Sequence, residues 1–317
     1  MQTKDRLILL TILLTGLVAC RKESGWTQPQ PMVFSDVQTK VGLSSYYPNF
    51  KVWAYCLTDK GADIMPGYRV NYDSALGWTY TEGEGTEGQE LQYWNYSAEL
   101  FRFHAGAPLA RVKSIGTQAL TLSLAATTDL LETALYSEPY LIKRSDPAFG
   151  NTVSLSFVYA NARLNLAFRC ASSAPVSITQ IRLTPPAAYA TDAELEVEYD
   201  WSRPAANVKG LTVLAQSSDD LTFPDVVFPA SGSEAVATGS PWYLIPQNSV
   251  KGQWKLSLYV DGVYKEVYFT LSKGWEAGRS YLFRFEYTDE ANLVFLGSES
   301  ELFVGLAPED GGNHNFS

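Results

Sequence analysis

Val153-Ser-Leu-Ser-Phe-Val158 and Arg163-Leu-Asn-Leu-Ala-Phe168 alternate apolar and polar side chains with a period of two. In an extended chain, successive side chains point to opposite faces. Val153, Leu155 and Phe157 therefore share one face, and Leu164, Leu166 and Phe168 share another. Each run reads as a half-buried strand. Upstream, short strand candidates recur between turn residues: Met32–Val37, Phe50–Leu57, Gly77–Thr81, Leu100–His104, Leu120–Leu124 and Tyr136–Lys143. Downstream they continue through Val176–Leu183, Ala193–Tyr199, Gly210–Gln216, Trp242–Ile245, Trp254–Val260, Val263–Leu271, Tyr281–Tyr287 and Leu293–Phe303. Asp261-Gly262 between two alternating runs is a hairpin turn signal. Only Thr128–Leu135 offers a turn or two of helix. This spacing predicts an all-β protein of sandwich or barrel type, read as two β domains joined near residues 145–175.

Composition agrees with that class. Tyr (19), Phe (15) and Trp (8) are abundant and charged residues make up only 18% of the chain, a balance that suits strands. The formal net charge of −10 argues against nucleic acid, whose phosphates need clustered Lys and Arg.

The first twenty residues read as an export signal. Lys4 and Arg6 precede a 13-residue apolar run, Leu7–Ala19, which ends Leu17-Val18-Ala19-Cys20. The run is too short to span a bilayer. Small residues before a cysteine match the lipobox of bacterial lipoproteins, which makes Cys20 the predicted lipidation site and residues 1–19 a signal peptide. Acyl chains anchor a protein without a membrane-spanning helix. Residues 20–31, polar and carrying Gly25, Pro29 and Pro31, form a lipidated tether. The 298 residues after the signal suffice for two β domains, 32–171 and 172–317. Export would permit a disulfide between Cys56 and Cys170. Each lies in a strand-like run, which reads as two separately buried thiols, with a bridge left open.

Patterns of catalytic chemistry are sparse. The chain has two histidines, His104 at the end of an aromatic strand and His314 in a Gly/Asn tail. The sequence contains no metal-ligand pair, phosphate loop or nucleophile elbow. A Ser-His-Asp site would have to use His104, which reads instead as a strand-end residue. Glu82-Gly-Glu-Gly-Thr-Glu-Gly88 lacks the ligand series of a calcium loop and reads as a solvated hairpin tip. We expect no enzyme, catalytic residue, cofactor or metal. Trp53, Trp78, Trp94, Trp242 and Trp254 lie in strand contexts, where packing is the ordinary role and stacking on sugars the alternative.

Several segments together resemble the fimbrillin-like (Mfa-like) lipoproteins, the type V pilus subunits of Bacteroidetes-type bacteria. They are Met32-Val-Phe-Ser-Asp-Val-Gln-Thr-Lys40, Tyr93-Trp94 through Phe103, Val153 through Leu166, Tyr243-Leu-Ile-Pro-Gln247 and Trp275-Glu-Ala-Gly-Arg-Ser-Tyr281. The resemblance implies two tandem transthyretin-like β-sandwich domains, no catalysis, and export to the cell outer membrane, lipid-anchored and surface-exposed. It implies that proteolysis removes the first strand and that a neighbouring subunit's strand fills the groove. The partners would be other pilus subunits through strand addition, the outer membrane through the N-terminal lipid, and a ligand on a host or bacterial surface.

Family processing follows a basic residue, usually Arg. The position here is Lys40, which leaves open cleavage by another protease or retention of the anchor. Leu293–Phe303 with its tail would supply or support the donor strand, so deleting residues 293–317 should leave folded monomers that cannot polymerise. A surface glycan-binding lipoprotein of a nutrient uptake system is the alternative function. A surface glycosidase would need two carboxylates across a cleft.

Overall fold

The computed structural model describes residues 29–35, 47–171, 174–228, 236–288 and 290–303. Cys20 and Lys40 lie outside them. Almost every described element is a strand. The first sheet centres on β1 (Asn49–Leu57), flanked on one side by β2 (Ala62–Asp73) and β3 (Gly77–Thr79). On the other side come β4 (Leu100–Ala107), β7 (Leu135–Ser137) and β9 (Phe157–Tyr159), with β8 (Tyr140–Lys143) beside β4. A second sheet contains β10 (Ala162–Cys170), β16 (Val236–Ala237), β17 (Trp242–Leu244), β20 (Arg279–Tyr287) and β21 (Leu293–Leu302). A third contains β11 (Val176–Thr184), β14 (Leu221–Phe223), β15 (Val226–Phe228), β18 (Gly252–Val260) and β19 (Val263–Leu271). The fourth runs β13 (Ala205–Ser217), β12 (Tyr189–Asp200), β6 (Ala119–Ala125), β5 (Val112–Ile115). Among the described strands pairing is antiparallel except between β10 and β20, which run parallel, and an isolated parallel bridge joins Phe34 to Val153.

The period-two reading decides what each face does. Leu164, Leu166 and Phe168 of β10 join Phe283 and Phe285 of β20 in one core, against Ile178, Leu183, Leu256 and Leu258 from the third sheet. A side chain of this size stabilises the fold by about 1.5–3 kcal/mol when fully buried. Strand β1 is buried on both faces. Phe50, Val52 and Ala54 point into a core lined by β4, Val153 and Leu155. Trp53 points the opposite way, into a third core formed with β6 and β12. That third core draws residues from both halves of the chain, and β12 hydrogen-bonds to β6. The two halves expected from the sequence thus share a sheet, and residues Pro31–Ser317 form one compact unit.

The Asp261-Gly262 turn forms as expected. Both residues take positive φ (48° and 82°), the two-residue hairpin geometry that Gly tolerates at the second position. Strand β2 was not expected from the sequence because Pro66-Gly67 interrupts it. The chain accommodates the pair with register shifts opposite Trp53 and a φ of +82° at Gly67. Thr128–Leu135 contributes a single 3-10 turn, Leu130–Glu132, whose first amides are capped by Asp129.

Candidate functional site

Pro31-Met-Val-Phe-Ser35 lies as a short extended segment in a groove of the first core. Its alternation sends Met32 and Phe34 inward, both at most 3% exposed, and leaves Val33 44% exposed. Two walls hold its backbone. On one side the Met32 amide donates to the Gln92 carbonyl (2.8 Å), and Pro31 and Phe34 bridge to Tyr93 and Trp78. On the other side Ser35 donates to the Val153 carbonyl (3.0 Å) and the Val153 amide donates to Val33 (2.8 Å). The Tyr80 hydroxyl closes the floor, donating to the Met32 carbonyl (3.0 Å) and accepting from the Gln92 amide (3.1 Å). Burial pushes that phenol up to about 12, with the Gln92 hydrogen bond working in the opposite direction.

Phe34 meets three rings edge-on: Phe50 at 5.7 Å, Tyr80 at 5.9 Å and Phe103 at 6.5 Å. Such pairs add about 0.5–1.5 kcal/mol beyond burial. Met32–Val37 was legible as a strand candidate. Tyr80, Gln92 and Val153 as its walls were not, because they come from three distant places in the chain.

Tyr47, the next described residue after Ser35, is 2% exposed, and its hydroxyl donates to the Leu130 carbonyl (2.8 Å) beside Thr133 (2.7 Å). The stretch between Ser35 and Tyr47, which contains Lys40, is therefore flanked on each side by residues held in the first core. Withdrawing residues 31–35 would expose Phe50, Tyr80 and Phe103 and strand the polar groups of Gln92, Val153 and Tyr80. Both deficits are met at once by another extended segment with the same alternation.

The C-terminal segment is built into the chain's own sheet. Leu293–Leu302 pairs antiparallel with β20 throughout its length. Phe295 stacks on Phe269 at 4.2 Å. Phe303 then turns into the first core, stacked on Tyr159 at 4.1 Å beneath the Arg163 guanidinium (5.7 Å), with its amide on the Gly278 carbonyl (2.7 Å). The expectation that a chain lacking 293–317 folds as a monomer is corrected accordingly. That deletion removes a paired strand and a core ring. Residues 304–317 lie outside the described residues.

No protein-family model matches the sequence, and no curated protein matches it. Solved structures do match over nearly the whole chain. A candidate cell adhesion protein from Bacteroides ovatus has a TM-score of 0.54 at 12% identity, covering 88% of this chain and 99% of its own. A fimbrial protein from Bacteroides vulgatus has a TM-score of 0.52 at 12% identity, covering 86% and 99%. A candidate cell adhesion protein from Bacteroides uniformis has a TM-score of 0.51 at 13% identity, covering 87% and 99%. The chain has the fold of these proteins.

Within this fold, the described tryptophans are spent on packing. Trp53, Trp78, Trp94, Trp201, Trp254 and Trp275 are buried. Half-buried Trp242 donates its indole N–H to the Thr222 carbonyl (2.8 Å). Cys56 and Cys170 are free, buried thiols in separate cores. Loop 82–88 is a run of exposed turns around buried Thr86, tied back by Asn71 to the Glu84 carbonyl (3.2 Å). Among the described residues no helix is long and apolar enough to cross a membrane.

His104 is fully buried and out of reach of a substrate. Its Nε2 lies 2.8 Å from the Gly116 carbonyl, which can only accept, so the neutral ring carries its proton there. The ring stacks on Tyr199 at 3.9 Å and lies 5.1 Å from Trp53. Burial lowers its pKa to about 3 from 6.5, the Gly116 bond working against that shift. The unfolded chain therefore takes up a proton near pH 6.5 that the folded chain refuses. Stability from this group is complete above 6.5 and falls by about 1.4 kcal/mol per pH unit below it. Between pH 6.5 and 5 the loss should reach about 2 kcal/mol. Urea unfolding at both pH values should show it, and His104→Phe should remove most of it. Equal slopes in the two proteins would refute the assignment.

Proposed function

We propose that this chain is a structural and adhesive subunit of a cell-surface fimbrium of the type V class. It is exported as an outer-membrane lipoprotein acylated at Cys20, and it assembles by strand exchange once the segment ending at Lys40 is removed. The observation that carries this reading is the seating of Met32 and Phe34 in a groove whose walls are hydrogen-bonded to their segment, with Tyr47 tied by its own hydrogen bonds to Leu130 and Thr133. A fold shared with a fimbrial protein and with candidate adhesion proteins supports it. Burial of the tryptophans favours it over glycan capture on a tryptophan platform. No catalytic step is proposed.

Mass spectrometry of surface-sheared material tests the pathway. A mature N-terminus at Val41 is expected, and Lys40→Ala should leave acylated, unassembled chains at the membrane. If assembled fibres retain acylated Cys20 on every subunit, strand removal is not the route.

A further inference from the structure

We infer that the free edge of β13 is a docking site for an extended segment of a partner protein that alternates apolar and basic residues. This surface shares no residue with the groove and does not depend on the fimbrial reading. Among the described residues β13 forms a strand pair only with β12; the Glu138 carboxylate accepts from the Ala206 amide at its start, and from Asn207 onward most of its residues are exposed. Native proteins blunt such edges with prolines or repeated charges. Here the strand holds no proline, and Lys209 is its sole charged side chain.

Its two faces differ in character. On the core side, Val208 and Val213 lie opposite Val197 and Ala193 and continue the apolar surface of the third core beyond its rim. They are 45% and 40% exposed, while Leu211 between them is partly buried. On the reverse side, β12 presents Asp192, Glu194, Glu196 and Glu198 in a row at alternate positions. Their neighbours across β6 are Ala125, Ser123, Thr121 and Ala119, all uncharged. Lys209 reaches Glu196 (3.2 Å) and, among the described residues, is the one cation in an ion pair with the row. A Cβ on Gly210, opposite Glu196, would meet nothing within 4 Å. The surface between an added strand and the carboxylates is therefore low and open.

An incoming strand hydrogen-bonded to β13 would set one face of its side chains on Val208 and Val213. The other face would lie about 10 Å from the carboxylates, two strand spacings away, a distance that lysine or arginine stems shorten. A second copy suits the site poorly. Two-fold pairing of β13 with itself would bring two carboxylate rows to about 14 Å of each other, in a chain of net charge −10.

The probe is a fluorescein-labelled, end-blocked peptide of alternating valine and lysine, long enough to cover Val208–Val213, titrated into the full chain by anisotropy. Its counterpart replaces lysine with glutamate. Saturable binding of the lysine peptide is expected, weakening with salt. The triple change Glu194→Gln, Glu196→Gln, Glu198→Gln should weaken it at least about tenfold and flatten the salt dependence. Val208→Lys with Val213→Lys should abolish it. Both sets lie at solvent-facing positions, and circular dichroism melting checks that each variant folds. Val208→Lys alone is the fallback for the double change. Equal binding of the glutamate peptide, unchanged binding by the variants, or no binding would each overturn the proposal. So would a dimer of the chain alone that Val208→Lys dissolves, which would make a second copy the occupant.

Discussion

Phe34→Ala should cost the unprocessed chain about 3–5 kcal/mol of stability, the range for truncating a buried phenylalanine in a core that cannot collapse. The walls make collapse difficult. Phe50, Tyr80 and Phe103 each meet Phe34 edge-on and are themselves fixed in strands or hydrogen bonds. Val33→Ala, one residue away and facing solvent, should change stability by no more than about 0.5 kcal/mol. The contrast between neighbours tests the alternation. A second comparison tests the function. A chain starting at Val41 lacks this strand, so it should expose an apolar groove, bind a hydrophobic dye and associate with other copies. Adding a peptide spanning residues 29–38 should suppress both signals. Denaturant unfolding measures the first effect and light scattering the second. A loss below about 1 kcal/mol for Phe34→Ala would mean that the segment does not fill the groove.

Deleting residues 293–317 should prevent the chain from folding, with a chain lacking only residues 304–317 as the comparison. The larger deletion removes Leu293, Phe295 and Phe303 from the cores. At about 1.5–3 kcal/mol for each side chain, the loss is on the order of 5–9 kcal/mol, comparable with the whole stability of a typical protein. It also strips β20 of a partner along its full length, leaving Phe283 and Phe285 behind an unpaired edge. Circular dichroism of the two truncated chains separates the outcomes. A cooperative, native-like transition for the 293–317 deletion would show that β21 is dispensable. The tail alone is then the segment whose removal should be tested for an effect on assembly.

The strand content was legible because period-two alternation is local, visible within six residues in runs such as Val153–Val158 and Arg163–Phe168. Met32–Val37 was legible as a strand candidate in the same way, but not which of its side chains face inward. Strand β2 escaped because its Pro66-Gly67 is a turn signal in one dimension and a bulge in three. Alternation names a face but never the neighbour across it. The parallel pairing of β10 with β20, and the antiparallel pairing of β12 with β6 across the halves of the chain, depend on contacts between residues far apart in sequence.

The lipobox at Cys20 and the basic residue Lys40 are readings of the sequence by itself. An export signal is recognised as a linear pattern before any fold exists, and a protease site is read from its local residues. Tertiary structure decided the rest of the site. It joined Tyr80, Gln92 and Val153 into one groove around Phe34, placed Phe303 in the first core and, among the described residues, gave β13 a single strand partner. Those positions are fixed by which faces must be buried together, a condition satisfied only by the whole folded chain.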